Sequence, residues 1–177
     1  MTPFVSGWTS IDSLKQNEKL GSESMKNKQT AYVMVGVPGS GKSTYAAKLA
    51  QTENAVIISG DDVRAELYGS SEIQGGWGEI WERIDELVSE AGGVPVILDG
   101  THCRKDYRAE AFALLKSYGY ERIEAIVMET TLATCLARNF KRDRNVPDYI
   151  VKQMHSDLQQ SLKTITDEDF DSFNFIY

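Results

Sequence analysis

The sequence predicts an α/β fold, a P-loop NTPase-type parallel sheet sandwiched between helices, with a short lid. Three observations carry that reading: a glycine-rich loop at residues 36–44 that follows an apolar run, short β-branched runs alternating with helical patterns, and carboxylates at the ends of those runs. The loop reads Gly-Val-Pro-Gly-Ser-Gly-Lys-Ser-Thr and comes directly after Tyr32-Val33-Met34-Val35. Gly36, four residues, then Gly41-Lys42-Ser43 is the Walker A or P-loop spacing, in which glycines let backbone N–H groups converge on phosphate oxygens. Gly36, Gly39, Ser40, Gly41 and Thr44 are therefore expected to line a phosphate site, with Lys42 reaching the terminal phosphates and Ser43 ligating Mg²⁺. The helix that follows, expected over residues 44–50, adds its N-terminal dipole. An ordinary strand-to-helix turn is the plainer alternative; strand context, the paired glycines and the Lys-Ser pair together weigh against it.

The remaining elements follow in order. Residues 55–59 form a short β-branched run ending at Gly60-Asp61-Asp62, a second strand. Residues 95–98, ending at Asp99, give a third, and residues 123–128 a fourth. Helical patterns cover residues 63–68, residues 79–90 with Ile80, Ile84, Leu87 and Val88 on one face, and residues 109–118 with Phe112 and Leu115. Residues 132–140 and 147–162 are later helices, the second with Pro147 at a favoured first-turn position. Residues 173–177 alternate enough for a final strand. Such alternation implies right-handed crossovers and a parallel sheet covered on both faces. In these sheets ligands bind at the carboxyl ends of strands, where the loop, Asp61 and Asp99 all fall.

A chain of 177 residues with 41% hydrophobic content can bury one good core, so one domain is expected over residues 30–177. Residues 1–29 mix Ser, Asn, Lys and Gly without a long apolar run and read as a poorly ordered leader, neither secretory signal nor membrane span, with Met25 as a second possible start. Cys103 and Cys135 lie far apart with no CxxC, which suggests neither a zinc site nor a disulfide framework and makes a reducing cytoplasm the default. A net charge of −7 argues against tight non-specific binding to nucleic acid while leaving room for a small basic groove.

Two further clusters carry chemistry. Asp61-Asp62-Val63-Arg64 stands where the second strand turns into a helix: a carboxylate there can accept the proton of an acceptor hydroxyl, and Arg64, one helical turn on, can hold an anionic acceptor group. The alternative is a helix cap with an i,i+3 ion pair and no ligand. Arg138-Asn139-Phe140-Lys141-Arg142-Asp143-Arg144 carries four cations in seven residues just before Val146-Pro147. Over residues 138–146 that cluster suits a lid closing on a triphosphate, or else a solvated charged loop. Asp99 follows an apolar strand as a Walker B carboxylate does; it is placed either to hold Mg²⁺ or to cap the next helix. Asp99-Gly100-Thr101 also matches part of a phosphatase nucleophile loop, but the Asp required two residues earlier is Ile97, so a phosphatase is rejected.

These motifs, Gly-Val-Pro-Gly-Ser-Gly-Lys-Ser-Thr, Asp-Asp-Val-Arg, Asp-Gly-Thr-His and Arg-Asn-Phe-Lys-Arg with Val-Pro behind it, stand in one order along the chain. The arrangement resembles the 5′-hydroxyl polynucleotide kinase domain of phage and bacterial end-healing enzymes, within the wider group of small P-loop kinases, over residues 31–162. The resemblance implies ATP and Mg²⁺, Asp61 as general base, Arg64 on the acceptor phosphate, and Arg138 and Arg142 on the nucleotide phosphates. Thr101 and His102 fall where that family has a Thr-Asn pair near the acceptor, so His102 is a departure. A second departure is residues 69–79, which contain no Lys where a polynucleotide groove would offer cations. Trp77, in that stretch, either stacks an acceptor base or anchors a helix start. The expected activity is transfer of the γ-phosphoryl group of ATP to a hydroxyl, foremost a 5′-hydroxyl end of DNA or RNA, with Lys42, Asp61 and Arg142 as the catalytic groups. The same chemistry on a nucleoside, a nucleotide, a sugar or a hydroxymethyl base in modified DNA is the alternative, and a non-catalytic ATP-binding switch a second.

Overall fold

Alternate residues of the first strand face opposite sides of the sheet, and that alternation divides the core. The computed structural model describes residues 30–142 and 145–177; the leader expected over residues 1–29 and the lid residue Arg144 lie outside the described residues. In β1 (Thr30–Val35) all six residues are buried, as a central strand covered on both faces requires. Ala31, Val33 and Val35 join a large cluster that includes Leu98, Ile123, Ala125, Val127 and Leu158. Tyr32 and Met34 point the other way and pack with Ile97, Ile126, Met128 and Ala46.

The sheet has five parallel strands in the order β2-β3-β1-β4-β5, flanked by six helices. After β1 come α1 (Lys42–Glu53), β2 (Val56–Ser59), α2 (Gly60–Tyr68), α3 (Trp77–Glu90) and β3 (Val96–Asp99). α4 (Lys105–Ser117), β4 (Arg122–Met128), α5 (Leu132–Phe140), α6 (Asp148–Leu162), a 3-10 turn at Ile165–Asp167 and β5 (Ser172–Ile176) complete the chain. β3 lies between β2 and β1, with Ser59 beside Asp99 in the β2–β3 register. The loop after β1, Asp99 at the end of β3 and Asp61 after β2 therefore leave the sheet from three adjacent strands, at one edge.

Every predicted strand and helix is present; the first strand begins at Thr30 and the first helix runs on to Glu53, and the other main differences lie at helix starts. α2 begins at Gly60 because the Ser59 hydroxyl accepts a hydrogen bond from the Asp61 backbone N–H at 3.2 Å, a side-chain cap that draws Asp61 and Asp62 into the first turn. Carboxylates there lie at the favourable end of the helix dipole. α4 begins at Lys105 with Arg104 as its N-cap, so Asp99 does not cap that helix. Pro147 takes the N-cap of α6, one place before the first helical residue. Among the described residues no helix is long and apolar enough to cross a membrane.

A buried ion pair joins the last elements to the site edge. Arg108, fully buried, donates through Nε and Nη2 to both carboxylate oxygens of Glu168 at 2.8 and 2.6 Å, and through Nη1 to the His102 carbonyl at 2.8 Å. Ser161 Oγ accepts from the same Nη1 and donates to the Cys103 carbonyl at 2.8 Å. Removing one partner strands the other charge in the interior, so Arg108→Ala is expected to lose about 3–5 kcal/mol in urea unfolding; a loss under about 1 kcal/mol would show that the pair does not hold this region.

Candidate active site

The loop between β1 and α1 is shaped by what touches it. Gly39 has φ +81°, and a Cβ there would stand 2.3 Å from the carbonyl oxygen of Cys135, so only glycine lets α5 pack this closely. Gly41 caps α1 in a left-handed conformation at φ 97°. Gly36 N–H donates to the Thr101 carbonyl at 2.9 Å, and Thr130 Oγ1 donates to the Ser40 carbonyl at 2.9 Å. The Ser40 hydroxyl is buried without a hydrogen-bond partner among the described residues, an unspent polar atom inside the phosphate loop. Thr44 is exposed in the first turn of α1.

Lys42 is 8% exposed, and its ammonium donates to the Val37 carbonyl at 2.9 Å. Burial lowers its pKa, while the nearby Asp99 carboxylate acts in the opposite direction. Asp99 is raised by burial; a hydrogen bond from Ser43 and the charge of Lys42 oppose the rise, and the charges of Asp61 and Asp62 add to it. Ser43 and Asp99 thus present a hydroxyl and a carboxylate in contact beside a buried cation. Oxygen donors of this kind fit Mg²⁺, which binds through one or two protein oxygens with substrate phosphates and water completing its shell.

Asp61 pairs with Arg64 through Oδ1 and Nη1 at 3.0 Å, and the same Nη1 donates to the Gly60 carbonyl at 3.2 Å. Arg64 is the more enclosed of the two, and its Nε is buried without a hydrogen-bond partner among the described residues. Asp62 is exposed. The i,i+3 ion pair read from the sequence is present, while the cap itself is Ser59.

Thr101 and His102 sit under the loop. The Thr101 backbone holds Gly36, and His102 Nδ1 lies 2.8 Å from the Met34 carbonyl, so that nitrogen carries the proton. His102 has φ 40°, a left-handed conformation that Asn and His adopt more readily than most residues, which gives a physical reason for His where the resembling family has Asn. Burial lowers the His102 pKa to about 4.

The basic cluster begins on α5. Arg138 Nη1 lies 3.7 Å from where a Cβ on Gly41 would be, over the phosphate loop, and the charge of the exposed Arg142 is felt at Lys42. Between them Asn139 is fully buried, donating to Asn145 Oδ1 at 2.8 Å and the Val146 carbonyl at 2.7 Å and accepting from Val146 N–H at 3.2 Å. Sequence reading had not singled out Asn139, Thr130, Cys135 or Arg108. Asn139 had a signal: with Leu132, Cys135 and Leu136 it falls on the i, i+3, i+4, i+7 stripe of α5, a polar residue in a buried phase. A hollow of about 820 Å³ lies elsewhere, on the α1 face against Tyr32, Tyr45, Leu49 and Phe175, and involves none of these groups.

A family model described as AAA domain, AAA_33, matches residues 32–162. The chain belongs to that family. No curated protein matches this AAA_33 chain by sequence. Among solved structures it is similar to a Pnkp1/Rnl/Hen1 complex, with 24% identity, TM-score 0.53 and coverage of 62% of this chain, which spans only 38% of that one. It is also similar to the shikimate kinase from Acinetobacter baumannii in complex with shikimate, at 19% identity, TM-score 0.53 and 88% of both chains. A gluconokinase from Sinorhizobium meliloti 1021 shares 18% identity with TM-score 0.50, over 85% of this chain and 83% of that one. The fold of this AAA_33 protein is that of the P-loop kinases.

His102 gives a pH test. Its folded pKa, about 4, lies below the unfolded value near 6.5, so the unfolded chain binds the proton first as pH falls. The contribution is complete above about pH 6.5, declines through the interval, and is gone below about 4, a span worth about 3 kcal/mol. Urea unfolding of wild type should lose that much more stability between pH 7 and pH 4 than His102→Asn, whose amide can still donate to Met34. Parallel pH profiles for the two proteins would contradict the neutral, buried imidazole.

Proposed function

We propose that the chain transfers the γ-phosphoryl group of ATP to the 5′-hydroxyl end of DNA or RNA. The observation that carries this reading is the Asp61–Arg64 pair at the start of α2, at the same sheet edge as Lys42, Ser43 and Asp99. A nucleotide-binding switch needs the phosphate loop but has no use for an acid and a cation on the acceptor side.

In this reading the loop amides, the Ser40 hydroxyl and Lys42 hold the β- and γ-phosphates. Arg64 grips the acceptor phosphate nearest the reacting hydroxyl through the exposed part of its guanidinium. Asp61 takes the hydroxyl proton as the new O–P bond forms; the bond from Pγ to the bridging oxygen breaks and ADP leaves. Arg138, over Gly41, and Arg142 stabilise the charge that spreads over the transferred group, with residues 138–146 acting as the lid. Thr101 and His102 form the floor beneath the acceptor. Ser43 and Asp99 would hold a Mg²⁺ ion, which would supply positive charge against the phosphates. Cys103 and Cys135, both free and buried, suit a reducing cytoplasm.

A second reading, the same transfer to a nucleoside, nucleotide, sugar or hydroxymethyl base, is favoured by one observation. Arg83 is the only Lys or Arg between Arg64 and Arg104, and it is engaged by Glu66, Glu86 and Glu90.

The test is transfer of terminally labelled phosphate from ATP to a 5′-hydroxyl oligonucleotide. Asp61→Asn should lower kcat by about 10²- to 10⁴-fold with ATP affinity nearly intact, whereas Asp62→Asn should be mild. The reverse ranking would overturn the assignment of the base.

A further inference from the structure

The acceptor side of the site edge carries aromatic rings where cations are scarce. Trp77 opens α3 and stacks on Trp81, with centroids 5.7 Å apart and planes at 24°; its ring also meets Tyr107 at 6.2 Å. Arg104 lies over the Tyr107 ring at 5.0 Å. Trp77 is 48% exposed and Tyr107 43%, although aromatic rings of this size gain more by burial.

Topology puts this cluster at the ligand edge. α3 hands the chain to the start of β3 at the far end of the sheet, so its own first residue, Trp77, lies toward the carboxyl ends of the strands. Tyr107 stands in the first turn of α4, just beyond the carboxyl end of β3. Tyr68, the last residue of α2, fixes the approach: its hydroxyl accepts from Gly76 N–H at 3.1 Å and donates to Glu79 at 2.6 Å, tying the start of α3 to the helix that carries Asp61 and Arg64.

The electrostatics select the occupant. Residues 65–82 hold four glutamates and no Lys or Arg, so a phosphate backbone running along this surface would be repelled. A base face carries no such charge, and stacking on an aromatic ring is tolerant of sequence. We infer that Trp77, backed by Trp81 and flanked by Tyr107 and Arg104, is the stacking platform for the nucleobase at the 5′ end of the acceptor, with Arg64 holding the single phosphate next to it. The inference rests on the proposed transfer to a nucleic-acid end and adds the part of the acceptor that is recognised: one base and one phosphate, with the rest of the strand directed away from α3.

The test compares two 5′-hydroxyl oligonucleotides that differ only in whether the first nucleotide carries a base. For the ordinary oligonucleotide, Trp77→Ala should raise KM by about 10-fold or more, with kcat changed far less, and Trp77→Phe should restore most of the loss. For the abasic oligonucleotide KM should already be high in wild type and should not respond to Trp77→Ala. Equal effects on both oligonucleotides, or none on either, would overturn the platform. Should no oligonucleotide be phosphorylated, the proposed function fails, and the platform is judged by equilibrium binding of the same two oligonucleotides to wild type and Trp77→Ala. Tighter binding of the base-bearing oligonucleotide that Trp77→Ala abolishes would retain it; equal binding would remove it.

Discussion

A buried ammonium within electrostatic reach of a half-buried carboxylate is the constraint on which the rest of this structure depends. Lys42 and Asp99 are each penalised by burial, and each is partly relieved by the other. Holding them there requires a loop that turns tightly enough to bring Val37 to the ammonium, and the glycines supply it, Gly39 by resting directly on the Cys135 carbonyl. The loop is then pinned from below by Thr101 and from the side by Thr130. The segment that supplies Thr101 is itself held by the buried Arg108–Glu168 pair through the His102 carbonyl. The phosphate loop is thereby tied to Glu168, at the end of the 3-10 turn and 60 residues beyond Arg108.

Because α5 packs on Gly39, the helix that begins the basic cluster is docked on the phosphate loop. Arg138 is delivered over Gly41 by that docking, and Asn139, buried one residue later, clasps Val146. The described residues on either side of the basic segment are therefore anchored, and Arg138 is directed over the phosphate loop. A freely solvated charged loop would need neither anchor.

Much of this was legible in the sequence. The Walker spacing, the β-branched runs and the helical stripes sufficed for all five strands and six helices, because each is a local pattern with a fixed period. Lys42, Ser43, Asp61 and Asp99 were legible because they stand at strand ends, where the topology brings separate segments to one edge. Other features depended on contacts between distant segments. That Ser59 rather than an aspartate caps α2 turns on a single side-chain bond, and that Asp99 caps nothing follows from where α4 begins. Arg108 carried no signal in the sequence; only the meeting of α4 with residues 161–168 shows it to be the most enclosed cation of the described residues. His102 read as a departure, whereas its left-handed backbone and its bond to Met34 give it a defined place.

In the proposed reading the acceptor side separates this protein from a generic phosphate binder: Asp61 and Arg64 would provide an acid and a cation for one hydroxyl and one phosphate, and the glutamate-rich surface beyond them would offer little to a long polyanion. The account's central claim is the nature of that acceptor. The most direct measurement is a side-by-side panel with terminally labelled ATP and Mg²⁺: a 5′-hydroxyl oligonucleotide, a nucleoside 3′-phosphate, a free nucleoside, a sugar acid, a duplex with hydroxymethyl bases, and no acceptor. The account predicts the highest kcat/KM for the oligonucleotide, a lower value for the nucleoside 3′-phosphate, which keeps the phosphate that Arg64 would hold, and little for the rest. A free nucleoside or sugar acid outrunning both phosphate-bearing acceptors would contradict it.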